Sequence, residues 1–156
     1  VDETLLATLY EIDNQSLGGK SSNKALTPAR RKVIKKSETL SVQLKQINNL
    51  ASQQSNKITA FYSDYDRFLD AVSKPNAISV WTLGNRKVAK QEIFMDKIMI
   101  ELCEHYHMQL LTSFTRQILN KRMPKLNGYQ GAEKGLQSTM TREHILIFVR
   151  SDSKNE

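Results

Sequence analysis

No glycine in this 156-residue chain has another glycine two positions along. This excludes a dinucleotide-binding loop and a P-loop, because both need closely spaced glycines to bring backbone up against a phosphate. The three prolines, Pro28, Pro75 and Pro124, stand far apart, so no Pro-Pro pair exists. One cysteine and three histidines exclude the common zinc spacings, and no metal ligand set is expected. Cys103 cannot form an internal disulfide, which suits a reducing, cytoplasmic setting. No apolar run is long enough to span a membrane, and no apolar segment follows a basic start as in a signal peptide. No serine sits in a nucleophile-elbow context. Alone, the chain offers no catalytic centre.

What is present is positive charge. The net charge is +7, which favours a polyanionic partner, nucleic acid first and an acidic membrane surface second. Lys20, Lys24, Arg30, Arg31, Lys32, Lys35 and Lys36 fall in one stretch with no acid between them. Arg116, Lys121, Arg122 and Lys125 form a second group. Either could be an ordinary solvated surface, but two acid-free clusters in one small chain point toward phosphate contact. The chain starts at Val1, which reads as a piece of something longer.

Hydrophobic spacing predicts helices in the first half. Asp2 can cap one carrying Leu5, Leu6, Leu9 and Ile12, ended by Leu17-Gly18-Gly19. Residues 19–27 read as a loop. Thr27-Pro28 is a good start for the next helix. Its basic first turn opposes the helix dipole, so those residues are expected to serve a partner. Ser37-Glu38 either starts a new helix or continues this one, with Leu40, Leu44, Ile47 and Ala51 at helical spacing. The polar stretch from Ser52 to Asn56 reads as an interruption, and Ser55 as the cap of a helix whose stripe is Ile58, Phe61, Tyr62, Tyr65, Leu69 and Val72. That stripe is expected in the core rather than as a base-stacking platform. Asp64 and Asp66 read as solvated acids.

Ser73-Lys74-Pro75-Asn76 breaks the helix. Residues 77–83 read as a strand covered on both faces. The amphipathic stretch from Gln91 to His107 reads as a helix, with Met95, Ile98, Met99, Leu102, Cys103 and Tyr106 as its stripe. His105 and His107 would point from it in different directions. Residues 110–119 read as a strand, residues 120–141 as a loop too long for a tight turn, and Ile145 to Val149 as a closing strand. This gives a mainly helical, basic segment over 1–76, an α/β part over 77–150 and a tail over 151–156. About three strands are too few for a complete layered sheet, so an apolar edge and face should await another polypeptide or an upstream segment.

Four blocks carry a family resemblance. Val80-Trp81-Thr82-Leu83-Gly84-Asn85-Arg86-Lys87-Val88 resembles the "VVGNRTV" segment of bacterial DNA amino-methyltransferases, which methylate N4 of cytosine or N6 of adenine. Asn120-Lys121-Arg122-Met123-Pro124 is similar to their "NKRMP" segment. Ser138-Thr139-Met140 followed by Glu143-His144-Ile145-Leu146-Ile147-Phe148 is similar to their closing strand. Ile12-Asp13-Asn14-Gln15-Ser16-Leu17-Gly18-Gly19 resembles a segment that follows their catalytic motif. The match covers most of residues 10–150 and is strongest from 77 to 148.

The resemblance implies the C-terminal part of a Rossmann-like methyltransferase sheet, in a split or cleaved enzyme of the restriction-modification kind. The S-adenosylmethionine loop and the Pro-Pro-Tyr motif would lie on a complementary N-terminal half, without which the chain would be inactive. Gly84, Asn85 and Arg86 would follow a central strand and form part of the target-base pocket, since open α/β sheets hold ligands at strand carboxyl ends. Asn85 and Arg86 could equally cap the turn. Double-stranded DNA would meet Arg30, Arg31, Lys32, Lys35, Lys36, Lys87, Arg116, Lys121, Arg122, Lys125 and Asn127. Two other readings stand beside this one: a non-catalytic nucleic-acid-binding module that pairs with a partner protein, and an RNA-bound helical scaffold stacking bases on Tyr62, Tyr65 and Trp81.

Overall fold

The computed structural model describes residues 3–16, 27–50, 52–118, 126–129, 135–138 and 141–150. Four helices come first: α1 (Glu3–Gln15), α2 (Pro28–Lys36), α3 (Glu38–Leu50) and α4 (Ser52–Val72). Then follow β1 (Ile78–Leu83), β2 (Arg86–Val88), β3 (Gln91–Ile93), α5 (Met95–Glu104), β4 (Met108–Gln117), β5 (Leu126–Tyr129), β6 (Gly135–Ser138) and β7 (Arg142–Arg150). Asp2, the Leu17-Gly18-Gly19 stop, Ala51 and the tail lie outside the described residues. On α1, Leu9 and Ile12 are exposed, so that part of the expected stripe has no cover among the described residues.

The helix starts follow from side-chain oxygens. Thr27 Oγ1 accepts from the Arg30 amide at 3.3 Å, with Pro28 in the first turn. Ser37 is extended, at φ −134°, and its buried Oγ accepts from the Leu40 amide at 3.0 Å. A second helix therefore begins there, which settles the choice that the sequence left open. Such caps contribute about 1 kcal/mol each. The expected interruption at residues 52–56 is absent, and α4 begins at Ser52. Ser55 is no cap. It lies one turn inside the helix, buried, and its carbonyl accepts from the Thr59 hydroxyl at 2.8 Å. Burial of this face outweighs the weak propensity of polar residues.

The aromatic stripe of α4 is core. Tyr62, Tyr65 and Leu69 are buried, while Val72 is exposed. Tyr65 and Phe68 meet Trp81 of β1 edge-on, at 5.8 and 5.9 Å between ring centroids. Tyr62 and Tyr65 therefore cannot act as a surface stacking platform for bases.

The main sheet has strand order β1-β7-β4, with both pairings antiparallel. Within it β7 is central, and β1 is an edge strand rather than the expected central one. Ser79, Trp81 and Leu83 share a face with His144, Leu146 and Phe148, toward the helices. Ile78 and Val80 share the opposite face with Val149 and Ile147, and are 68% and 62% exposed. So β1 is not covered on both faces. It alternates, because the described helices cover one side only. In β4 the pairing shifts between Leu110 and Thr112, leaving Leu111 as an extra residue. Such a bulge resets the alternation, and Phe114 falls on the open face, 51% exposed.

Residues 91–93 are not the start of the next helix. They pair with 86–88 as a hairpin, and α5 begins only at Met95. The two-residue turn, Ala89-Lys90, has φ of 49° and 64°, the primed geometry that matches strand twist. The chain leaves α5 at His105, so His105 and His107 lie in a turn rather than on the helix. The expected loop at 120–141 contains a second hairpin, β5 with β6.

The core joins α2, α3, α4 and α5 to the covered face of the sheet. Val33, Leu40, Ile47, Leu69, Ile98, Leu102, Leu146 and Phe148 are at most 1% exposed. Each such side chain contributes about 1.5–3 kcal/mol on leaving water. Asp66 also lies inside, contrary to its expected solvation. Lys36 Nζ donates to it at 2.6 Å, and the Tyr106 hydroxyl donates to it at 2.9 Å. No described helix is long and apolar enough to cross a membrane.

Candidate functional site

The turn after β1 is built to start α5. Phe94 supplies no side-chain cap. Asn85 Oδ1 takes that role, accepting from the Asp96 amide at 3.5 Å. Gln43, reaching across from α3, accepts from the Phe94 amide at 3.3 Å and donates to the Glu92 carbonyl at 2.6 Å. Two side chains distant in sequence thus satisfy amides that the helix leaves open. The carboxylate of Asp96 is held by His144 of β7, with Nδ1 3.5 Å from Oδ2. Its other oxygen, Oδ1, is buried with no partner. Gly84 and Asn85 are half-buried, and Arg86 is exposed.

Arg86 opens onto a cavity of about 260 Å³ between α4, the β2–β3 hairpin and the first residue of α5. Its walls are apolar: Ile58, Phe61, Val88, Ile93 and Met95. Gln54, Lys57 and Arg86 bring polar groups to it. Tyr62 also lines it. The residue is 3% exposed, and its hydroxyl is itself buried, with no hydrogen-bond partner among the described residues. An unpaired buried hydroxyl costs about 1–3 kcal/mol, so this is an unusual thing to leave in a core. Burial first, then the Asp96 carboxylate, pushes the phenol up, partly offset by Arg86. The hydroxyl is therefore a donor at neutral pH. Lys57 and Gln54 were not singled out as binding residues from sequence, and Tyr62 was named only as a base-stacking ring in the RNA reading. Tyr62 fits the apolar period of α4, which hides its polar tip, while Gln54 sits in the stretch read as an interruption and Lys57 directly follows it.

The basic residues divide. Arg31, Lys32 and Lys35 are exposed on α2 and line a shallow depression with Pro28. Arg30 is 4% exposed, and Lys36 is committed to Asp66 and Tyr106. Both face inward because they lie on the side of α2 that packs on the other helices. Lys87 is exposed on β2. Arg116 is exposed and paired with Glu143 at 2.5 Å. Lys121, Arg122 and Lys125 lie outside the described residues, and Asn127 is described only as part of β5. The structure thus brings together one basic surface on α2 and, separately, the Arg86 cavity.

No family model matches the chain, and no solved structure matches it. It is 31% identical over 150 residues to the Type II methyltransferase M.MvaI of Kocuria varians, an alignment covering 94% of this chain and 32% of that protein. The chain therefore spans about a third of the length of the curated relative it matches. An alignment running through nearly the whole chain makes it a relative of a Type II methyltransferase.

Proposed function

We propose that this chain is the C-terminal part of an S-adenosylmethionine-dependent DNA methyltransferase that modifies an exocyclic amine, N4 of cytosine or N6 of adenine. The observation that carries the reading is the 31% identity to a Type II methyltransferase along 94% of the chain. Two features support it. The outer edge of β1 pairs with no described strand, and the open face of the sheet carries Ile78, Val80 and Phe114. A layered α/β sheet buries both, so further strands and cover come from a complementary N-terminal half, on the same or another polypeptide. With such a strand in place, β1 becomes interior, and the Gly84-Asn85-Arg86 turn lies at its carboxyl end, where ligands sit in such folds.

That half carries most of the cofactor site and the Pro-Pro-Tyr motif. The glycine spacing of this chain builds no phosphate or cofactor loop, and the Arg86 cavity is smaller than the range usual for whole ligands of that size. S-adenosylmethionine supplies the methyl group. This chain contributes the turn that borders the target-base pocket and cations for the DNA backbone: Arg31, Lys32, Lys35, Lys87, Arg116, Lys121, Arg122 and Lys125, with Asn127 beside them.

The test is reconstitution. The chain is combined with the complementary half, and transfer of labelled methyl from S-adenosylmethionine to DNA is followed. Transfer that needs both parts, with N4-methylcytosine or N6-methyladenine in the digested product, supports the reading. Tight DNA binding with no transfer favours a non-catalytic module instead.

A further inference from the structure

Two features are left without a task among the described residues, and they match. The first is α1. Every side chain described on it is exposed, Leu9 by 53% and Ile12 by 60%. A helix of 13 residues is marginal in water unless packing holds it. Leu9 and Ile12, three apart, lie on one face and need cover. Residues 1–19 hold four acids, Asp2, Glu3, Glu11 and Asp13, while all 23 bases of the chain follow them. The second feature is the cavity between α4 and the β2–β3 hairpin. Its walls are apolar, Lys57 and Arg86 line it as exposed cations, and no acid is among its described lining residues. At about 260 Å³ it is below the range usual for whole ligands, which suits a pair of branched side chains. No residue of α1 lines it, so the α1 of the same chain does not fill it.

We propose that α1 of one copy docks in this cavity of a second copy, and reciprocally, in a two-fold dimer. Leu9 and Ile12 enter between Ile58, Val88 and Ile93, and the acids of α1 face Lys57 and Arg86. Charge complementarity decides the occupant. A cationic apolar groove asks for an acidic amphipathic helix, and this chain carries both. The inference goes beyond the methyltransferase reading and needs none of it.

The experiment uses this chain carrying Val80→Lys and Phe114→Lys, which charges the open sheet face and removes association there. Sedimentation equilibrium should still find a dimer. Copies with labelled methyl groups, mixed with unlabelled ones, should give isotope-filtered NMR contacts from Ile58, Val88 and Ile93 to Leu9 and Ile12 of the other copy. Leu9→Asp with Ile12→Asp should weaken the dimer by about tenfold or more, because two apolar side chains lose their cover. Both positions are exposed in the single chain, so its own fold should stand. A charge exchange tests the pairing itself. One variant carries Glu11→Lys and Asp13→Lys, and the other Lys57→Glu and Arg86→Glu. Each should dimerise poorly by itself, and the mixture should associate about tenfold more tightly than either. A monomer at all concentrations overturns the proposal. So does a dimer without those methyl contacts, or a mixture no tighter than its parts. Contacts confined to one copy assign the groove to the α1 of the same chain and overturn it too, as do Leu9 and Ile12 contacts formed only with an added complementary half. Methyl transfer enters none of these measurements, so the enzyme reading and this one fail separately.

Discussion

Single residues decide several outcomes here. Lys36 and Asp66 are 13% and 11% exposed at their side chains, so neither charge can be left alone without cost. Asp66→Ala should lower stability by about 3–5 kcal/mol in urea unfolding, because it strands the ammonium. Replacing both residues with apolar ones of similar volume should cost much less. Asn85→Ala should cost about 1 kcal/mol through its cap. If Asn85 also serves the target base, the reconstituted enzyme loses transfer more than DNA affinity, and equal losses assign it to the turn alone. The Cys103 thiol is pushed up to about 12, by burial first and then by Glu104. The folded state therefore holds that proton more tightly than the unfolded one. Its contribution is complete below the ordinary thiol value of 9.0 and is lost as pH climbs toward 12. Cys103→Ala should make the alkaline loss of stability shallower, and the native thiol should resist alkylation at pH 8.

At the scale of elements, α2 carries a trade between stability and binding. Its first turn holds basic residues where the helix dipole favours acids. Arg31→Ala relieves that opposition while Lys35, in the last turn, sits where the dipole favours a cation, so Arg31→Ala, Lys32→Ala and Lys35→Ala together should leave the stability of the helix nearly unchanged. They should reduce the slope of log affinity for DNA against log salt by up to about 3. An unaltered slope puts the DNA elsewhere. Elements legible in the sequence were those with strong periods: the α4 stripe, the apolar run of β1, and β7. The β2–β3 hairpin was not, because Ala89-Lys90 takes positive φ without the Gly or Asn that normally announces such a turn. The burial of Asp66 was illegible for a different reason. Its partners, Lys36 and Tyr106, are 30 and 40 residues away, and nothing local distinguishes it from Asp64. The cavity was hidden likewise, since a Tyr62 that fits a core period gives no sign that its hydroxyl lacks a partner. The Gly84-Asn85-Arg86 segment was legible as the turn that follows β1, but Asn85's bond to the start of α5 was not.

The whole molecule is lopsided. Helices cover one face of the three-stranded sheet, while Ile78, Val80, Leu111 and Phe114 stand 51–68% exposed on its other side or at its bulge. The chain alone should self-associate in sedimentation experiments, and Val80→Lys with Phe114→Lys should shift it toward monomer. A monodisperse unmodified chain would contradict this. The strand order has one more consequence. The middle strand, β7, follows both of its neighbours in the chain. During synthesis, β1 and β4 must therefore leave the ribosome and wait unjoined. A premature stop codon before residue 142 would release them without the strand that links them, and such a truncated product should be a ready target for chaperones and proteases.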